Sequence, residues 1–129
     1  MIKKIVFLFL VAFSATCFSQ KNIPNINVNT LKGKSVSIES QLSKDKVTVL
    51  AFWATWCVPC INELDAISDV YEDWQEETSV EIIAMSTDDS RTQKRIKPMI
   101  NGKGWDYQIL LDKNQELKRA LNITLIPHV

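Results

Sequence analysis

Apolar and polar positions alternate one for one near the start of the chain. Ile26 and Val28 stand between Asn residues, and Val36 and Ile38 stand beside Ser35 and Ser37, with Lys32-Gly33-Lys34 in between. A period of two marks a half-covered strand, so the spacing predicts a short hairpin. Residues 47–53 drop the alternation and are apolar nearly throughout, which predicts a strand covered on both faces and central in a sheet. The period then becomes helical. Cys60, Leu64, Ile67, Tyr71 and Trp74 recur at steps of three and four, and predict one helix over 59–77 with a single apolar stripe. Pro59 falls in its first turn, where a missing N–H is tolerated. A second strand follows at 80–85. Asp89 or Ser90 caps a helix running to residue 100, ended by Gly102 and Gly104. A strand at 107–111 and a short helix at 115–121 complete the pattern.

Strands that alternate with helices predict an α/β fold with a mostly parallel sheet. Right-handed crossovers place its helices on both faces. The length of 129 residues suits one domain, and no internal repeat is present. Lys+Arg and Asp+Glu balance at 15 each, so the chain has no net field to attract a phosphate backbone. Nucleic acid is therefore not expected as a partner.

The first residues carry a different signal. Lys3 and Lys4 precede an apolar run at 5–13, followed by the small residues Ser14, Ala15 and Ser19. The run is too short to span a bilayer, which takes about 20 apolar residues. It fits the core of a secretory signal, so we expect residues 1–19 to be a signal peptide and residues 20–129 the exported domain. A buried first strand or helix is the alternative reading of this run. Cys17 raises a lipoprotein alternative, although Ser14-Ala15-Thr16 is a poor approach to an acylated cysteine. Without such acylation, no membrane anchor is expected once the signal is removed.

Beyond that segment only Cys57 and Cys60 remain. Two cysteines three positions apart close too small a loop to staple a fold, so their use is more plausibly chemical than structural. A zinc site needs four ligands, and His128 is the only other candidate, so neither metal nor cofactor is expected. A cysteine attacks as thiolate. Cys57 falls at the start of the predicted helix, where unpaired N–H groups and the helix dipole favour negative charge. Cys60 lies on the apolar stripe. We expect Cys57 to be the exposed nucleophile and Cys60 the buried resolving thiol. Val58-Pro59 supplies no cation to stabilise the thiolate further, which leans the pair toward a reductant.

Phe52-Trp53-Ala54-Thr55-Trp56-Cys57-Val58-Pro59-Cys60 closely resembles the active-site segment of the thioredoxin superfamily. With Ile61-Asn62-Glu63-Leu64 after it, the segment is similar to the TlpA/ResA branch of exported disulfide reductases. The resemblance implies a thioredoxin-like fold with an N-terminal hairpin and a central insertion. Plain thioredoxins carry a buried Asp where this chain has Ala51. The TlpA/ResA branch carries a Glu that matches Glu63, one helical turn from Cys60, where a carboxylate can take the resolving thiol's proton. The alternative for Glu63 is a solvated helix residue. Ile126-Pro127 resembles the superfamily's cis-proline pair, which docks the substrate chain. The resemblance thus implies Trp56, Val58, Pro59, Ile126 and Pro127 as substrate-binding residues. His128 stands where threonine is more usual, and either modulates the thiolate or is inert. The superfamily's last hairpin and helix follow the cis-proline, so the expected fold is truncated after it and the chain is read as part of a longer product.

The expected function is an extracytoplasmic thiol–disulfide oxidoreductase reducing protein disulfides through Cys57 and Cys60. Its partners would be a disulfide-bearing protein substrate and an upstream membrane or periplasmic electron donor. The alternatives are a peroxiredoxin-like antioxidant of the AhpC/TSA type and a non-catalytic thioredoxin-like binding domain.

Overall fold

The computed structural model of the protein describes residue 1 and residues 22–129. The expected signal segment and Cys17 lie outside the described residues. The hairpin forms where the alternation places it. β1 (Asn27–Thr30) runs antiparallel to β2 (Ser35–Ser37), with Val28 opposite Val36. Gly33 turns the chain at φ +84°, a conformation that a Cβ disfavours, and its N–H donates to the Thr30 carbonyl at 2.9 Å.

β3 (Thr48–Trp53), β4 (Glu81–Ser86) and β5 (Gln108–Leu111) are parallel neighbours. β5 also pairs antiparallel with β1, giving a five-stranded sheet in the order β2-β1-β5-β4-β3. The sheet is α/β as expected, but among the described residues β3 is not central. It is the last strand in that order, and its outer side makes one bridge, Phe52 to His128. The apolar run of β3 reports that its two faces are covered, and says nothing about its two edges. Ala51 and Trp53 pack into one core, and Phe52 into the other.

Among the described residues, four helices cover the sheet. α1 (Val58–Ser68), α2 (Tyr71–Thr78) and α3 (Ile96–Lys103) bring Leu64, Tyr71 and Ile96 to the core of one face. α4 (Glu116–Ala120) brings Leu117 to the other, beside Ile38 and Ile123. The single helix expected over 59–77 is broken. Val70 leaves helical geometry at φ −122°, ψ 2°, and the chain restarts as α2. The new direction buries Tyr71, whose hydroxyl accepts the N–H of Ile82 in β4 at 3.0 Å. It also turns Trp74 outward, at 42% exposure, so that residue leaves the expected stripe.

The helix expected from residue 90 also begins later. A 3-10 turn at Gln93–Arg95 precedes α3, and Asp89 accepts the backbone N–H of Arg91 in a turn rather than capping a helix. Pro98 explains the delay: it has no N–H to give, and here it sits in the first turn of α3. Gly104, at φ +67°, ends α3, while Gly102 lies within its last turn.

Trp53, Ser86 and Leu111 end their strands side by side. The loops that follow them therefore meet at one end of the sheet, and Cys57 lies in the first of these.

Candidate active site

The turn after β3 delivers Cys57 to the start of α1. Its backbone N–H donates to the Ala54 carbonyl at 3.0 Å. Cys57 is the N-cap residue of α1, with extended backbone, and its Sγ accepts the N–H of Cys60 at 3.4 Å. A sulfur in this position takes one of the orphan donors of the first turn, and the same donors and the helix dipole favour a thiolate there. Pro59 sits within the first turn. The pair is oxidised, with a Cys57–Cys60 disulfide and the two Cα atoms 5.3 Å apart.

Cys60 is buried, as its place on the apolar stripe implies. The expectation of an exposed Cys57 is corrected: it retains 6% exposure against 1% for Cys60. In the oxidised pair its sulfur is tied back to Cys60 at the helix end, and only a small area reaches the surface. The residues around it are open. Trp56 is 57% exposed and Val58 65%. Glu63 lies on α1 one turn beyond Cys60, half-buried.

The Ile126-Pro127 peptide bond is cis. The His128 carbonyl that follows accepts the N–H of Phe52 at 2.8 Å, which ties the proline segment to β3 one residue before Trp53. His128 itself is exposed. Trp56 and Ile126, expected separately as substrate-binding residues, line one cavity of about 220 Å³. Thr87, Gln115, Lys118, Thr124 and Leu125 complete it. Val58, Pro59 and Pro127 do not line this cavity. The additional residues come from the loop after β4, from α4 and its N-terminal approach, and from the segment before the proline. No local motif distinguishes them in the sequence.

The scaffold behind the pair is polar where it holds α1. Asp65 accepts from Trp105 Nε1 at 2.8 Å and pairs with Lys103. The Lys103 hydrogen bond, and after it the one from Trp105, holds the Asp65 carboxyl below its ordinary 3.8. Tyr107 donates its hydroxyl to the Leu64 carbonyl at 2.6 Å, and burial pushes its phenol up to about 12. Trp105 in turn meets Trp53 edge-on, with centroids 5.2 Å apart. Asp112, buried behind the third loop, accepts the N–H groups of Leu117 and Lys118 and so holds the start of α4.

A family profile described as "AhpC/TSA family" matches residues 19–127. The chain belongs to the AhpC/TSA family. Within the thioredoxin superfamily it is TlpA/ResA-like. It is 32% identical over 107 residues to the thiol-disulfide oxidoreductase ResA of Bacillus thuringiensis (strain Al Hakam), covering 83% of this chain and 59% of that protein. It is 30% identical over 101 residues to the sporulation thiol-disulfide oxidoreductase A of Bacillus subtilis, covering 78% and 59%. The chain thus spans about three fifths of the length of these curated relatives. Among solved structures, an uncharacterised thioredoxin-like protein from Porphyromonas gingivalis superposes with a TM-score of 0.72 at 42% identity, over 81% of this chain and 69% of that one.

Proposed function

We propose that the protein is an exported thiol–disulfide oxidoreductase that reduces disulfides in other proteins. The observation that carries this reading is Cys57 at the N-cap of α1, its sulfur accepting the Cys60 N–H and bonded to the Cys60 sulfur. That geometry favours a thiolate at Cys57 and keeps its resolving partner adjacent.

In the reduced form the Cys57 thiolate attacks one sulfur of a substrate disulfide. A mixed disulfide forms, and the other substrate sulfur leaves as a thiolate and takes a proton. The Cys60 thiol then gives its proton to Glu63 and attacks the Cys57 sulfur. The second substrate thiolate leaves, is protonated, and the Cys57–Cys60 disulfide remains. The substrate gains two electrons and the pair loses two, so a dithiol donor must restore the pair. Trp56 and Ile126 form a docking groove for the extended chain around the substrate cysteine, and Val58, Pro59 and Pro127, close to them along the chain, are the further residues that chain would meet.

Export rests on the apolar run at 5–13 behind Lys3 and Lys4, read as a signal over residues 1–19 with the domain at 20–129. Among the described residues no helix is long and apolar enough to cross a membrane. The family match favours a second reading, direct reduction of peroxide by a peroxiredoxin-like site. One assay separates the two. The reduced protein is offered insulin and, separately, hydrogen peroxide. Insulin reduction that vanishes in Cys57→Ser, with trapped mixed disulfide in Cys60→Ser, is the expected result. Insulin reduction that survives in Cys57→Ser overturns the first reading, and turnover of peroxide alone establishes the second.

A further inference from the structure

Asp88 is completely buried and has no part in the exchange just described. Its carboxylate grips the turn that carries Cys57. Oδ1 accepts the Thr55 hydroxyl at 2.6 Å, and Oδ2 accepts the Thr55 backbone N–H at 2.9 Å. Oδ2 also accepts the Ser86 hydroxyl at 2.8 Å, and the Asp88 N–H donates back to that oxygen at 3.1 Å. The carboxylate thus accepts from one backbone N–H and two hydroxyls, a set of donors that suits its ionised form.

Among the described residues its hydrogen-bond partners are dipoles and not cations. The ion pairs among the described residues are Lys46–Glu81, Arg91–Asp89 and Lys103–Asp65, and none includes Asp88. The neighbouring Asp89 has its own arginine and points into solvent-side contacts with it. The hydrogen bonds from two hydroxyls and one amide favour the charged form of this carboxyl and take the place of a counter-ion.

That carboxylate is hydrogen-bonded to Thr55, two residues before Cys57. Thr87, from the same loop, hooks the Trp53 carbonyl through its N–H at 2.8 Å and its hydroxyl at 3.2 Å. Segment 86–88 is thus hydrogen-bonded to 53–55 and fixes the turn from which Cys57 enters α1. A fixed anion raises the free energy of a second anion placed near it. The Cys57–Cys60 disulfide is neutral, and the negative charge appears only when the pair is reduced to a thiolate. Asp88 therefore disfavours the reduced form relative to the disulfide, against the pull of the helix N-terminus. A couple whose reduced form is disfavoured is the better reductant.

We propose that Asp88 is a positioning residue that holds the Cys57 turn through Thr55, and that its buried charge keeps the Cys57/Cys60 couple reducing. The proposal rests on the oxidoreductase reading and assigns the device that sets its direction.

The test is a redox titration of the full chain against glutathione at fixed pH, for the wild type, Asp88→Asn and Thr55→Val. In that equilibrium two glutathione thiols give up two electrons and two protons; the Cys57–Cys60 disulfide takes both electrons and one proton, giving a Cys57 thiolate and a Cys60 thiol, the second proton goes to solvent, and glutathione disulfide forms. Asp88→Asn removes the charge, and is expected to shift the equilibrium about tenfold toward the protein dithiol, about 30 mV less negative. Thr55→Val keeps the charge but removes one donor that damps it, and is expected to shift the equilibrium about threefold the other way. Loosening of the turn alone would not move the two variants in opposite directions. An unmoved couple in Asp88→Asn, or a shift of the same sign in both, overturns the proposal. Should Asp88→Asn fail to fold, Thr55→Val decides alone, and an unmoved couple there overturns it. A wild type without any measurable couple would instead remove the oxidoreductase reading, and this proposal with it.

Discussion

Asp65 of α1 accepts the indole N–H of Trp105 at 2.8 Å, and so fixes the helix that begins at Cys57 to the loop before β5. The same carboxylate pairs with Lys103, whose hydrogen bond is the main reason its pKa lies below 3.8. A carboxyl with a depressed folded-state pKa contributes stability that is present above its unfolded value and is lost as pH falls through the folded one. Asp65→Asn is therefore expected to lower the urea midpoint at pH 7 and to remove part of the stability loss expected of the wild type below about pH 4. The side chains are more than a third exposed, so solvent screening limits the ion-pair part to about 1 kcal/mol or less. Equal acid sensitivity in the variant and the wild type would contradict the assignment.

Glu63 tests the proton path. On the proposed path Glu63 takes the Cys60 proton, so Glu63→Gln should slow resolution of the mixed disulfide by about tenfold or more at pH 7. The first attack by Cys57 should proceed nearly as before, because Glu63 is placed one turn beyond Cys60. Stopped-flow measurement of the two steps across pH separates them. An unchanged pH–rate profile for the second step leaves Glu63 as a solvated helix residue.

Trp56 tests the groove. An exposed indole beside the disulfide has little to stabilise except a bound chain. Trp56→Ala should lower kcat/KM for a protein disulfide by about tenfold, since truncating a large aromatic at a binding site costs about 1 to 2 kcal/mol. The loss with glutathione disulfide, which is too small to fill the groove, should be several times less. Equal losses on both substrates would place the effect in the thiols instead.

Gly104 tests the end of α3. Its φ of +67° is left-handed, and a Cβ there would meet no other atom within 4 Å. The cost of Gly104→Ala is thus conformational and not steric crowding, about 1 kcal/mol. Urea unfolding should show that loss with an unaltered slope, and no loss would mean the chain relaxes out of this cap.

The hairpin and the redox turn were legible because their signals are local. Alternation at 26–38 and a glycine between two lysines define one strand pair, and Cys57-Val58-Pro59-Cys60 at a strand-to-helix junction defines the chemistry. The break at Val70 was not legible. Ile67, Tyr71 and Trp74 fit an unbroken helix equally well, and what separates α1 from α2 is the reach of Tyr71 to Ile82, a tertiary contact. The edge position of β3 was hidden for a similar reason, since side-chain burial on two faces carries no record of hydrogen bonding at two edges. Thr55 and Asp88 lie 33 residues apart, and neither residue has a neighbour that announces the other. The late start of α3 was different, because Pro98 carried that information in the sequence.

The kink at Val70 has a use for anyone who wishes to alter the molecule. A helix acts on a charge at its end mainly through its first turn, so shortening α1 takes little from the field at Cys57. α2 can then carry a dye, a tag or reversed charges while the thiols keep their surroundings. Trp74, already facing water on α2, is a natural attachment point for such a label.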